Sequence, residues 1–338
     1  MTKLEIQIDS RLENPLFQQI KNHIEDGIIN GKLNPGHKLP SINKIAREYQ
    51  IAPGTVIRAY DELREMGLIS SKQGKGYFVS GSDIQIHRRI FLLFDRMNAF
   101  KEILYDAFRN EFDENTEIQV FFHHYNIRRF EKLIRENLGK FSHYVLMPHL
   151  NENIQKIIGK LPEKKIIFID NLPVNLKTSA NGVYQDFYND IFTALTGEIE
   201  RIKQYDSINL SLSQSQFQFV PQGILAGFQD FCKNFGLTHA VIQNITVSNL
   251  NKNKLYIIFD DRELMYTLKL IQTHQWNLIS DIGIISFDET PMKELLAGGI
   301  SVLSTDFEQM GITAAKLVKG EIEGKIANPF RLIFRNSF

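Results

Sequence analysis

Two groups of residues in this chain have types and spacings suited to recognition chemistry, and they lie in separate stretches. The first is Thr55, Ile57, Arg58 and Asp61, which share the exposed face of a helix whose other face carries Val56, Ala59, Tyr60 and Leu63. A helix seated with its first turn in the major groove presents such early side chains to base edges, while amide ends and hydroxyls face phosphate. Arg58 is the expected base reader, with Thr55 beside it. Ser41, Lys44, Arg47, Lys75 and Gly76 are the further expected DNA contacts.

The second group is acidic and aromatic. Asp95, Arg96 and Phe100, then His149, Asp170, Asp260, Asp261 and Asp288, each follow a short apolar run that reads as a strand. In open α/β sheets, ligands bind beyond the carboxyl ends of strands. Carboxylates accept hydrogen bonds from vicinal hydroxyls, and an aromatic ring covers an apolar sugar face. Each acidic residue also suits the N-cap of the following helix, a role compatible with ligand contact.

The elements that position the first group are legible from Leu16 to Val79. Leu16, Ile20, Ile24 and Ile28 recur at the spacing of one apolar helical stripe. Gly31, Pro35 and Gly36 break the chain, and Ser41 then offers an N-cap to a short second helix with Ile42, Ile45 and Ala46 facing inward. A turn from Gln50 to Gly54 leads to the third helix, which Thr55 or the residue before it is expected to cap. Leu68 to Ser71 and Gly76 to Val79 form two strands around a basic tip, Lys72 to Lys75. That order of helices and hairpin is a winged helix-turn-helix.

Composition narrows the function classes. With 338 residues and 43% hydrophobic content, the chain suits about two domains with sizeable cores. Its formal net charge is zero, so DNA affinity has to come from a local patch. Residues 35–80 supply one, with seven Lys or Arg against four Asp or Glu. No apolar run is long enough for a membrane helix and the N-terminus lacks a signal-peptide pattern, so a cytoplasmic protein without membrane contact is expected. The single Cys232 reads as a buried structural thiol. His123 and His124 read as surface or packing residues, because no third ligand lies at metal-site spacing. No catalytic residue, metal or cofactor is expected.

From Arg89 onward, apolar runs alternate with amphipathic ones. Runs at 90–94, 118–122, 144–147 and 166–169 are expected strands, followed by a second series at 208–212, 239–243, 255–259, 282–287 and 300–303. Strands that are nearly all apolar are buried on both faces by crossover helices. Helices are expected from near Asn98, Ile127, Asn151, Gly223, Arg262 and Phe307.

The segment with PL-x-x-QI, PG-x-x-LPS, TV-x-RAY and GKG-x-FV resembles the DNA-binding domain of GntR-family regulators. Asn43 stands where many members carry arginine, and Lys44 or Arg47 can substitute. The later stretch IGIISFDETPMKELLAGGISVLSTDFEQMGITAAKLVKGEIEGK, followed by RLIFRNS, is similar to the C-terminal part of LacI/GalR-type effector domains. The joined arrangement is similar to arabinose-responsive repressors. It implies an α/β architecture: a winged helix-turn-helix at 1–80, a linker at 81–88, and a two-lobed, periplasmic-binding-protein-like domain of doubly wound parallel sheets at 89–338.

That resemblance implies a homodimeric transcriptional regulator, binding double-stranded operator DNA and a small-molecule effector held between the lobes. Within it, Asp288 matches the ligand-binding aspartate, and Asp261 matches the second member of an Asn-Asp pair whose first member here is Asp260. Ile224 stands where the family commonly carries an anchoring arginine, and Gln222 is the alternative donor. A neutral monosaccharide such as L-arabinose or L-fucose is the expected effector, with nucleosides and sugar phosphates left open. The competing readings are enzymatic. A pyridoxal-phosphate fold needs a longer body, and neither a Gly-x-Ser-x-Gly elbow nor a true Gly-x-Gly-x-x-Gly turn occurs.

Overall fold

Ile20, Ile24 and Ile28 lie buried along helix α1 (Leu16–Ile29), packed in one cluster with Val56, Ala59, Tyr60 and Leu63. This is seen in a computed structural model that describes residues 8, 14–29, 31–81, 88–173, 178–212 and 221–338. Helix α2 (Ile42–Glu48) is capped as its sequence predicts: the Ser41 hydroxyl accepts the amide of Lys44 at 3.2 Å. Helix α3 (Pro53–Glu65) differs from expectation. It starts before Thr55, at Pro53, and its N-cap Ala52 supplies no side-chain bond. Proline carries no amide hydrogen and has a helix-like φ, so it opens a helix without a capping side chain. Strands β1 (Ile69–Lys72) and β2 (Gly76–Val79) then pair antiparallel. Gly74 and Gly76, at φ 70° and 104°, turn the hairpin in a region that favours glycine.

Residues 82–87 of the expected linker lie outside the described residues. The chain resumes as β3 (Arg88–Phe94), α4 (Ala99–Asn110), β4 (Thr116–Phe122), α5 (Ile127–Glu136), β5 (His143–Leu146), α6 (Gln155–Ile158), β6 (Ile166–Asp170) and β7 (Asn181–Tyr184). It crosses into a second lobe: α7 (Phe187–Gly197), α8 (Ile199–Ile202), β8 (Ser207–Ser211), α9 (Gln222–Asn234), β9 (His239–Ile242), β10 (Lys254–Ile258), α10 (Asp261–Thr273), β11 (Gly283–Phe287), α11 (Pro291–Leu295) and β12 (Ser301–Thr305). Helix α12 (Phe307–Lys319) and β13 (Lys325–Ala327) return to the first lobe, and β14 (Phe330–Ile333) ends in the second.

The strand orders are β13-β7-β6-β5-β3-β4 in lobe one and β14-β12-β11-β10-β8-β9 in lobe two. All pairings in these two sheets are parallel except β12 with β14. Successive residues of β3 feed opposite faces: Ile90, Leu92 and Phe94 join the core under α4 and α12, while Phe91 and Leu93 join the core holding Phe130 and Ile134 of α5. Burial on both faces explains why these strands read as unbroken apolar runs. The helix expected from Asn151 is the short α6, which begins at Gln155.

Three crossings between the lobes are tied at one residue. The Asn328 amide side chain donates to the Thr305 hydroxyl at 2.7 Å and to the Asp306 carbonyl at 2.8 Å, and its backbone N–H donates to the Tyr184 carbonyl at 2.7 Å. No helix among the described residues is long and apolar enough to cross a membrane.

Candidate functional site

In the head, α3 leaves Ile57 and Arg58 exposed while Val56, Ala59, Tyr60 and Leu63 are buried. The Tyr60 hydroxyl donates to the Pro40 carbonyl at 2.7 Å, which fixes α3 to the turn before α2. Arg58 lies back over the Phe17 ring, 3.7 Å from its centroid, and its Nε contacts Glu62 at 3.3 Å. Its side chain is 64% exposed. Ser41, Lys44, Arg47 and Lys75 are exposed, and Thr55 and Gly76 are half-buried. Lys72 stacks on Phe78 at 5.2 Å and adds a second cation to the wing.

In the body, a cleft of about 360 Å3 lies between the lobes, lined among others by Asp95, Arg96, Phe100, His149, Asp170, Asp260, Asp261 and Asp288. Eight of the nine sequence-predicted effector residues therefore converge there. Gln222 does not: it is exposed at the start of α9, while its neighbours Pro221 and Ile224 line the cleft. The helical phase of α9 turns Gln222 outward and Ile224 inward.

Asp95, Lys101, His149, Asp170 and Gln185 of lobe one pair with one another in the cleft. Asp95 accepts from Lys101 and, at 2.7 Å, from His149 Nδ1; His149 Nε2 lies 2.8 Å from Asp170, which also accepts from Gln185. Burial opposes the charge on Asp95, yet its bonds to His149 and Lys101 hold its carboxyl well below the usual range. Burial likewise works against a charged His149, and is outweighed by Asp170 and Asp95, which lift the ring to about 9. Asp170 is held low by His149 and Gln185 against its own burial.

Lobe two presents a different balance. Asp260 caps α10, accepting the amides of Arg262 and Glu263 at 2.9 and 3.1 Å. Lys293, itself buried, pairs with Asp261 at 2.8 Å and donates to the Asp288 carbonyl at 2.7 Å. Asp288 sits at φ 59° beyond β11, and burial, partly offset by Lys293, pushes its carboxyl up to about 7. Phe259 stacks on Phe287 at 4.1 Å in this lobe, and Phe100 stacks on Phe307 at 4.5 Å across the cleft in the other.

Tyr125, Gln185, Phe187 and Phe307 also line the cleft, and sequence reasoning did not find them. Tyr125 and Gln185 sit in loops, and Phe187 and Phe307 open the helices α7 and α12 just after crossovers between the lobes. Lys101 was missed because a lysine in an amphipathic helix reads as exposed; here it is 1% exposed.

His123 is buried, with Nε2 3.1 Å from the Met147 carbonyl and its ring against Phe130, and burial holds it down to about 4. It is a packing residue. Cys232 is buried, which pushes its thiol up to about 12. No cluster of His, Cys, Asp or Glu suited to a metal occurs among the described residues.

The family description "Bacterial regulatory proteins, gntR family" matches residues 16–79. Those residues are a gntR-family helix-turn-helix. Among curated relatives, the HTH-type transcriptional repressor YtrA of Bacillus subtilis (strain 168) is 37% identical over 75 residues, covering 22% of this chain and 58% of that protein. The arabinose metabolism transcriptional repressor of Geobacillus stearothermophilus is 38% identical over 66 residues, 20% of this chain and 18% of that protein. The chain thus spans less than two thirds of the length of these relatives. A crystal structure of a LacI family transcriptional regulator from Arthrobacter sp. FB24, in complex with lactose, aligns with a TM-score of 0.58 at 13% identity, over 74% of this chain and 99% of that one. At such identity the likeness concerns the fold, and the two-lobed body has the LacI-type fold. The gntR-type head and LacI-type body are therefore joined in one chain.

Proposed function

We propose that this protein is a transcriptional repressor, with residues 1–80 as DNA-binding head, 81–88 as linker and 89–338 as effector-sensing, dimerising body. One observation carries the reading: a gntR-family head shares its chain with a two-lobed body whose cleft is lined by hydrogen-bonding groups and stacked phenylalanines. Two heads of a homodimer engage successive major grooves of a palindromic operator, and Thr55 and Arg58 reach base edges while Ser41, Lys44, Arg47, Lys75 and Gly76 hold the backbone. Such a protein acts in the cytoplasm.

The effector is a neutral monosaccharide of the L-arabinose or L-fucose kind. Asp95, Lys101, His149 and Asp170 neutralise one another, which disfavours a ligand of high charge, and no nucleophile with an adjacent base stands in the cleft among the described residues. Asp260, Asp261 and Asp288 are the acceptors for sugar hydroxyls, with Phe100 and Phe259 for its apolar faces. The name of the arabinose repressor supports this choice, and the lactose in the LacI-family structure supports a neutral sugar more generally. Effector binding closes the lobes and changes the spacing of the heads, with a coupling of about 1 to 3 kcal/mol.

Thermal-shift screening against neutral sugars, nucleosides and sugar phosphates tests the reading. A saturating sugar at a hundred times its Kd adds about 2.7 kcal/mol of stability, and Asp288→Ala abolishes that gain. Stabilisation by a sugar phosphate alone would overturn the assignment of a neutral ligand.

A further inference from the structure

Helix α1 does more than close the core of the head: its outer side lies on lobe one. Asp26 pairs with Lys165 at 3.0 Å, with 36% and 11% of their side chains exposed. Asn22 reaches the Gly139 carbonyl at 3.5 Å. Asn14 is buried, and a Cβ at Gly139 would collide with the side-chain oxygens of Asn14 and Gln18. Gly139 also holds φ 73°, so glycine is suited to this site by conformation and by close approach. Burial pushes the Glu25 carboxyl up, with Lys21 and Lys165 pulling it down.

The place of these contacts in the sheet matters. Strands β6, β5 and β3 are neighbours. Their N-terminal ends carry Lys165, His143 and Arg88, close enough together that the two cations add to the burial that holds the His143 ring down to about 3. At or just beyond their C-terminal ends stand Asp170, His149 and Asp95, which line the cleft. The same three buried strands thus meet α1 at one end and the cleft at the other. A close-packed sheet transmits displacement with little deformation.

We infer that α1 is docked on the N-terminal rim of the lobe-one sheet, latched by Lys165 onto Asp26, so that the head and lobe one move as one rigid unit. Closure of the lobes then moves lobe two relative to this unit, rather than moving the head relative to lobe one. The consequence for regulation rests on the proposed function; the docking itself does not.

The test is a distance measurement by double electron–electron resonance on the full chain, with nitroxide labels at Lys32→Cys in the head and Lys132→Cys on α5. Both sites are exposed and Cys232 is buried. Labelled protein is diluted into excess unlabelled protein, which leaves only distances within one chain. The otherwise native sequence gives one narrow distribution. Lys165→Glu broadens it, Lys165→Gln broadens it as well, and adding Asp26→Lys to Lys165→Glu narrows it again. A broad distribution in the otherwise native sequence overturns the docking, and one that stays narrow in Lys165→Glu and Lys165→Gln overturns Lys165 as its latch. Neither operator nor effector is needed, so failure here is separate from failure of the repressor reading.

Discussion

His149 Nε2 lies 2.8 Å from the carboxylate of Asp170, while the other ring nitrogen binds Asp95 at 2.7 Å. One imidazolium therefore joins the ends of two strands of the lobe-one sheet, and both carboxylates rely on it. His149→Ala leaves two buried carboxylates short of a cation, and breaking a buried pair this way costs about 3 to 5 kcal/mol. Urea denaturation is expected to show that loss, with a smaller one in His149→Gln.

The same residue sets a pH dependence. Its folded-state value of about 9 lies above the ordinary 6.5, so the stabilisation is complete below 6.5 and is lost as pH rises through 9. The stability difference between the native protein and His149→Gln should therefore shrink between pH 6.5 and 9. A difference that stays constant over this range contradicts the bridge.

Asp288 governs the ligand side of the cleft. Its carboxyl, raised to about 7, gains its charge as pH rises through neutrality, and the carboxylate is the stronger acceptor for sugar hydroxyls. Effector affinity measured by calorimetry should rise from pH 6 to pH 8, roughly the span over which this group ionises. In Asp288→Asn that rise should be absent. An equally steep profile in the variant would place the titrating group elsewhere.

How much of this was legible in the sequence follows from how each residue is positioned. Ile90 to Phe94 and Ile166 to Ile169 stood out because both faces of their strands are buried, and the residues just past them, Asp95 and Asp170, followed as cleft residues. Gln185 and Phe187 enter the cleft from a crossover, and Phe307 from another, so their place depends on contacts distant in sequence. Gln222 was misplaced by half a helical turn relative to Ile224. Thr55 or the residue before it is the cap the sequence suggests, but Pro53 opens α3 instead. The contact of Asp26 with Lys165 left no trace in periodicity, since it joins residues far apart in the chain.

Asn328 is the expected weak point of the hinge. Asn328→Ala removes two hydrogen bonds to the second crossing, at Thr305 and Asp306, and leaves a buried hydroxyl and carbonyl with fewer partners. A loss of about 1 to 3 kcal/mol is expected in thermal melts. An unchanged Tm would show that the crossings hold without it.

Arg58→Ala should weaken operator binding by about 1 to 3 kcal/mol in fluorescence anisotropy. The thermal shift caused by the effector should be untouched, because Arg58 belongs to the head and not to the cleft. Equal operator affinity in the variant would remove Arg58 from the interface.

The most direct test is selection of DNA from a random pool by the full chain, followed by titration of the bound complex with the sugar found by thermal shift. The expected result is a palindromic sequence released by that sugar in the native protein and retained in Asp288→Ala. Recovery of DNA without sequence preference, or a complex indifferent to every stabilising ligand, would contradict the joining of a DNA-reading head to an effector-sensing body.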